Sequence, residues 1–230
     1  MKKRILSMLG IFLVLALIQS CGSSPEKDLL SRYFHALSMN DVSTLSTMAI
    51  NPVTIDVKNW KITEVTEEEV IPAKLPELDK KEKELKKKVE DSVSKTLDSR
   101  DKLDEAKFEL DNARTRAAKR EAQKKVDELQ KKYDKIYENH KELQKKYNEA
   151  KAKASREEEI SSFSIGAGEI PTIRDLTGDI HKKQVTIQVT NKEGEVQNYK
   201  FFLRRYILQN EATNKDYRGR WIIVKIKKVE

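Results

Sequence analysis

Cys21 is the one thiol in the chain. With no second cysteine it closes no disulfide within the chain, and what it offers is a single sulfur nucleophile. It follows a basic start, Lys2, Lys3 and Arg4, and an apolar run from Leu9 to Ile18. That run is too short to span a hydrocarbon core of ~30 Å and fits the h-region of a signal peptide. Elsewhere the residue types that do chemistry stand apart. No nucleophile, base and orienting group can be assembled by spacing. His140 has no companion at metal-ligand spacing. Gly166-Ala167-Gly168 is too short to cradle a phosphate, and Asp175 and Asp179 lie near Gly178 without a supporting ligand pattern. The residues predict no enzyme, no metal and no cofactor.

Ile18-Gln19-Ser20-Cys21 resembles the lipobox of bacterial lipoproteins. The resemblance implies a signal peptide over 1–20, cleavage after Ser20, and lipidation of Cys21, with residues 21–25 as a short tether. Two or three acyl chains anchor stably where one binds only marginally. The implied partner is a lipid bilayer and the implied location the bacterial cell envelope. Gly22 stands where aspartate would mark inner-membrane retention, so a Gram-negative host implies the outer membrane, facing the periplasm. An ordinary secretory signal ending near a cysteine is the alternative.

The stretch from Leu78 to Glu159 has neither Gly nor Pro and is dense in Lys and Glu. In its second half Ala122, Val126, Leu129, Tyr133, Ile136, His140, Leu143, Tyr147, Ala150 and Ala154 alternate steps of four and three, the seam of a coiled coil. The first half is looser, through Leu85, Val89, Thr96, Leu103, Ala106, Leu110, Ala113 and Ala117, and the phase slips before Ala122. One straight helix would run on the order of 120 Å. If the flanking strands share a sheet, the insert must double back. The reading is an antiparallel helical hairpin over 77–160, turning near Asp111 to Arg120, with one continuous helix as the alternative. His140 reads as a polar seam residue that fixes register. Charged residues make up 37% of the chain and the net charge is +8, against ~25% charged residues in ordinary globular chains. Acids interleave the bases around Lys86–Lys88, Lys131-Lys132 and Lys145-Lys146, which describes a solvated helix face. A nucleic-acid partner is excluded, since it needs clustered bases without acids.

The flanks read as small globular pieces. Leu29, Leu30, Tyr33, Phe34 and Leu37 share one helix face. Asn40-Asp41 breaks that helix and caps a second, Val42 to about Ile50, which Asn51-Pro52 stops. Val53, Ile55 and Val57 alternate and lead through Trp60, Ile62 and Val65 as one strand bent at Asn59. Val70-Ile71-Pro72 and Leu75-Pro76 form an exit segment. After the helices, Val185, Ile187 and Val189 alternate as a strand, Asn191–Gly194 turns, and a return strand runs from Val196 to about Leu208. Gln209–Gly219 reads as a polar loop, and Trp221 to Ile226 as a closing central strand.

Tyr33, Phe34, Ala36, Leu37, Asp41 and Leu45, with Gly219, Trp221 and Ile223, resemble the opening and closing motifs of NTF2-like (cystatin-like cone) domains. The implied fold is α+β. An NTF2-like curved antiparallel sheet with N-terminal helices is split into 26–76 and 161–230 by the hairpin. The cone of that fold can hold a pocket, for which Tyr33, Trp60, Tyr199 and Trp221 are the candidates, with core packing as their alternative role. Enzymes on the fold use Asp, His or Tyr as acid and base. Here His35 faces outward, Asp56 alternates to solvent, and His181 sits at a strand start beside lysines, in water. The expected function is a membrane-anchored scaffold. Its coiled-coil arm engages a protein partner or a second copy. A small-ligand binder with the hairpin as spacer is the rival, and a hydrolase or isomerase on the cone is third.

Overall fold

The computed structural model describes residues 24–166 and 173–229. The fold is α+β, with a curled antiparallel sheet and two long helices that pack together. In chain order the elements are α1 (Pro25–Ser38), α2 (Val42–Ser46), β1 (Asn59–Val65), β2 (Glu69–Pro72), α3 (Leu75–Asn112), α4 (Arg116–Ile165), a 3₁₀ turn (Ile173–Asp175), β3 (Thr177–Thr190), β4 (Val196–Asn210), β5 (Lys215–Arg218) and β6 (Ile222–Val229). The six strands follow the order β1-β3-β4-β5, with β2 also on β3 and β6 also on β4. The chain divides into two compact units. The first takes residues up to Val70, His181–Arg205 and the chain from Arg220; the second takes Ile71–Ile180 and Tyr206–Gly219.

In the first unit, α1 starts at Pro25, where a missing N–H costs nothing, and carries Glu26 and Asp28 in its first turn. It ends where Asn40 turns to φ 53°. Asp41 caps α2 by accepting from the Thr44 N–H at 3.0 Å. Leu30, Tyr33 and Phe34 on α1 meet Val185, Ile187, Phe201, Leu203 and Ile223 of the sheet in one apolar core. Tyr33 packs edge-on against Phe201 at 5.8 Å, and Phe34 stacks on Trp60 at 4.7 Å. β1 pairs antiparallel with β3 and β6 with β4, each with a register shift, at Ile62/Glu64 and Phe202/Leu203. Such shifts bend a sheet and sharpen its twist.

The second unit is the hairpin with its supporting turn and strand ends. α3 has 38 residues and α4 has 50, so α3 alone is about 57 Å long. Residues 113–115 make the turn, inside the stretch expected for it, and Thr115 caps α4 by accepting from the Ala118 N–H at 3.2 Å. Leu103, Ala106 and Val126 are buried at the distal contact, with Leu110, Leu129 and Tyr133 packed around them. Gly178 in β3 has φ 133°, and a Cβ there would collide with the Ile207 carbonyl, so only glycine fits.

Several expectations are corrected. Residues 52–57 lie outside the sheet: pairing begins when the Lys58 N–H reaches the Thr190 carbonyl at 2.8 Å, and the strand is Asn59–Val65. The second helix stops at Ser46, because Ala49 bridges in parallel to Ile223 and the Ile223 N–H bonds the Met48 carbonyl. The exit segment is a strand, β2, flanked by bonds from Thr66 to Gln184 and from Ala73 to Gly178. Pro72 sits at its end, on a sheet edge, where proline is tolerated. The polar loop contains β5, which pairs Ile207 with Arg218 and Asn210 with Lys215.

Candidate functional site

Each long helix folds as it does because a seven-residue seam needs a partner. Every seam position expected on α4 is buried or half-buried. On α3 the seam is fuller than the apolar residues suggested. Ser92 and Ser99 are buried in it, so that 85, 92, 99, 106 and 113 recur every seven residues, with 89, 96, 103 and 110 between them. The serines were missed because they are polar, and the exact heptad spacing was the available signal. His140 Nδ1 lies 2.8 Å from Ser92 Oγ across the seam. The Ser92 hydroxyl donates to the Val89 carbonyl at 2.7 Å, which leaves its oxygen to accept from His140 Nδ1–H. At the distal end Lys125 bonds Glu109 at 2.6 Å.

The base of the hairpin is clamped by one arginine. Arg174 Nη1 lies 3.0 Å from Asp79 and 2.8 Å from Glu82 on α3, and its Nε donates to Glu158 on α4 at 2.8 Å. The hydrogen bonds that the guanidinium donates to Glu82, Glu158 and Asp79 outweigh burial and push its pKa further up. Beside it the Tyr206 hydroxyl donates to Glu157 at 2.7 Å, and the Tyr206 N–H donates to Ser164 Oγ at 3.2 Å. Long-range pairing of this kind leaves no mark in sequence spacing.

The outer surface of the hairpin carries apolar side chains that its own seam does not use. Leu97 is 52% exposed, Phe108 69% and Tyr137 40%, with Val93 alongside in sequence. Tyr137 stacks on Tyr133 at 5.7 Å, under Lys141.

The four proposed pocket residues all belong to the first unit and pack in or against its core. Tyr33 is fully buried; its hydroxyl accepts from the Val53 N–H at 3.1 Å, and burial raises its pKa while the bond to Val53 lowers it. Trp60 stacks on Phe34, and Tyr199 donates to Gln197 at 2.8 Å. Trp221 is nearly buried, with Lys183 Nζ 5.6 Å and Arg205 Cζ 5.1 Å from its ring centre. Those two cations belong to an ion-pair network. Glu68 faces His181 Nδ1, Lys183 at 3.5 Å and Arg205 at 3.4 Å, while Lys183 also reaches Glu26 at 3.4 Å. Burial raises the Glu68 pKa, but His181, Lys183 and Arg205 together bring it below the usual carboxylate range. His181 is therefore half-buried against a carboxylate, not in open water as expected.

His35 and Asp56 are exposed, as their positions suggested. Asp56 accepts from the Lys192 N–H at 3.2 Å. His35 borders a cleft of about 640 Å³ beside α1 and α2, lined by the buried Ala36 and Met48 and by the exposed Arg32, Met39, Asp41 and Thr44. None of the four pocket candidates lines that cleft. Cys21 and its lipobox lie outside the described residues. Among the described residues there is no group of three or more His, Cys, Asp or Glu placed to hold a metal, and no helix long and apolar enough to cross a membrane. The chain matches no family model, no curated protein and no solved structure.

Proposed function

We propose that this chain is a non-enzymatic lipoprotein of the bacterial envelope whose helical hairpin is an arm for protein–protein interaction. The observation that carries the reading is the exposed apolar set Leu97, Phe108 and Tyr137 on an otherwise charged hairpin. Leu97 and Phe108 lie outside the seam, and Tyr137 touches it only through its ring contact with Tyr133. Exposed aromatic and aliphatic groups amid charge are what an interface core needs before it meets its partner. The curved sheet behind two N-terminal helices supports reading the first unit as an NTF2-like domain, divided in sequence by the arm. Cys21 after its apolar run supports the lipid anchor. Replacing residues 78–159 by a short Gly-Ser bridge tests the arm. Partner capture is expected to vanish while the Trp60 and Trp221 fluorescence of a folded sheet persists; capture that survives the deletion sinks the reading.

A second reading is favoured by the α1/α2 cleft, whose apolar floor and polar rim suit a small ligand. Under that reading the bridged chain retains ligand binding and Met39→Lys abolishes it.

A further inference from the structure

The seam of α3 fixes which of its residues face away from α4. Between seam residues three apart both intervening side chains point outward, and between those four apart the middle one does. From Glu90 to Asn112 the outward positions are therefore 90, 91, 94, 97, 98, 101, 104, 105, 108, 111 and 112, and all are exposed. Seven of these eleven are Asp or Glu and none is Lys or Arg. The four bases of the stretch, Lys95, Arg100, Lys102 and Lys107, stand beside the seam instead. Two of the other outward residues are Leu97 and Phe108, 52% and 69% exposed. On α4 the outward surface mixes the signs, through Lys124, Glu128, Lys131 and Asp134.

Both features cost the hairpin on its own. Asp98, Asp101, Asp104 and Glu105 repeat at three and four residues, the spacing at which like charges on a helix repel. Among the described residues only two of the seven acids have an ion-pair partner, Glu90 with Lys86 at 4.0 Å and Asp104 with Arg100 at 3.6 Å. Leu97 and Phe108 each leave more than half of their surface in water. They are eleven residues apart, close to three helical turns, so they point the same way ~16 Å apart along α3.

We propose that this outward face of α3 binds a basic amphipathic helix of another protein, lying lengthwise along it. This rests on reading the hairpin as an interaction arm and gives the chemistry of the partner. Two apolar side chains three turns apart on the partner seat against Leu97 and Phe108, and Lys and Arg around them meet the acids. A helix suits the face because it satisfies its own backbone, whereas the side of α3 offers no free N–H or C=O to an extended segment. An anionic bilayer or a nucleic acid is repelled by the same carboxylates. Among the described residues no three of them converge as a metal site requires. The occupant must therefore bring several positive charges and two apolar anchors together, at helical spacing.

The test uses the full chain in intact cells, with a photo-crosslinking side chain at position 97, at 108 or, on the outward side of α4, at 131. The joined segment of each adduct is mapped by mass spectrometry. Positions 97 and 108 are expected to join a segment rich in Lys and Arg with apolar residues at helical spacing. The triple variant Asp98→Lys, Asp101→Lys, Asp104→Lys lowers the yield from 108 by about tenfold or more, and exchanging the basic residues of the mapped segment for Glu restores it. Leu97→Ser lowers that yield as well; unchanged helicity by circular dichroism confirms that each variant is folded. Adducts from 97 and 108 only to an acidic or uncharged segment, or protein adducts from 131 alone, overturn the basic helix and leave the arm standing. No protein adduct from any of the three positions overturns both. A yield from 108 indifferent to the charge reversals overturns the basic partner.

Discussion

Arg174 holds the two long helices at their base. Its three carboxylate partners come from positions 79, 82 and 158, and Asp79 is buried. Removing the guanidinium leaves Asp79 and Glu82 facing each other with Lys83 as the nearest cation to Asp79. A half-buried cluster lies between the small worth of a surface pair and the larger cost of an orphaned buried charge. Arg174→Ala is expected to cost about 1–3 kcal/mol in urea denaturation, and Arg174→Lys to recover only part of it, since an ammonium cannot fork between helices.

Two carboxylates set the acid limit of the fold. Burial by itself raises the pKa of both Glu68 and Asp79. The first is outweighed by His181, Lys183 and Arg205, the second by hydrogen bonds from Lys83 and Arg174, and both end below their ordinary range. A carboxyl whose folded pKa lies below its unfolded one contributes stability above the unfolded value and loses it as pH falls through the folded one. From these two groups, the denaturation midpoint should hold steady between roughly pH 6 and 8 and drop below about 4. A midpoint that rises on acidification contradicts this assignment.

At the scale of elements, the hairpin depends on small residues where the helices approach. Ala106 is 1% exposed, between Leu103 and Val126. Ala106→Leu should overpack that contact and cost about 1–3 kcal/mol, read as a lower thermal midpoint. Lys102→Leu, at an exposed position on the same helix, should leave the midpoint nearly unchanged. The elements also differ in how plainly the sequence announces them. α4 was legible because its seam is apolar almost throughout. α3 was half legible, because the polar residues Ser92 and Ser99 fill seam positions, the Ser92 hydroxyl bonding both locally and across the pair. The β3–β4 hairpin was legible from alternation and from Gly194, whose φ of 91° the turn demands. β2 and β5 were not, since four residues each are too few to display a period. The alternation at 53–57 misled, because the nearby Tyr33 hydroxyl, not a neighbouring strand, takes up the Val53 backbone. Of the site, the exposed apolar set is visible in sequence only after the seam is known, and the Glu68 and Arg174 clusters join residues that only the fold brings together.

At the scale of the whole molecule, the proposed anchor makes Cys21 the residue on which location depends. Cys21→Ser should move the protein from the membrane fraction to the soluble fraction or stall it with its signal uncleaved. Retention as a processed, membrane-bound species counts against lipidation at this residue.

The order of the chain sets a schedule for folding. About 110 residues separate the two main parts of the first unit, and they include both long helices. Closing an open loop of that length costs about 4 kcal/mol in chain entropy. Helices joined by a three-residue turn make mostly local contacts and form early, whereas β1 must wait for β3, and the core of α1 is complete only with Ile223 of the last strand. During export of the unfolded chain the amino-terminal helices therefore emerge long before their core exists, while the hairpin can close behind them and shorten the gap. Refolding should proceed in two stages, helical circular dichroism first and tryptophan fluorescence second, because both tryptophans, Trp60 and Trp221, belong to the first unit. The two signals rising together would mean that the hairpin, too, waits for the sheet.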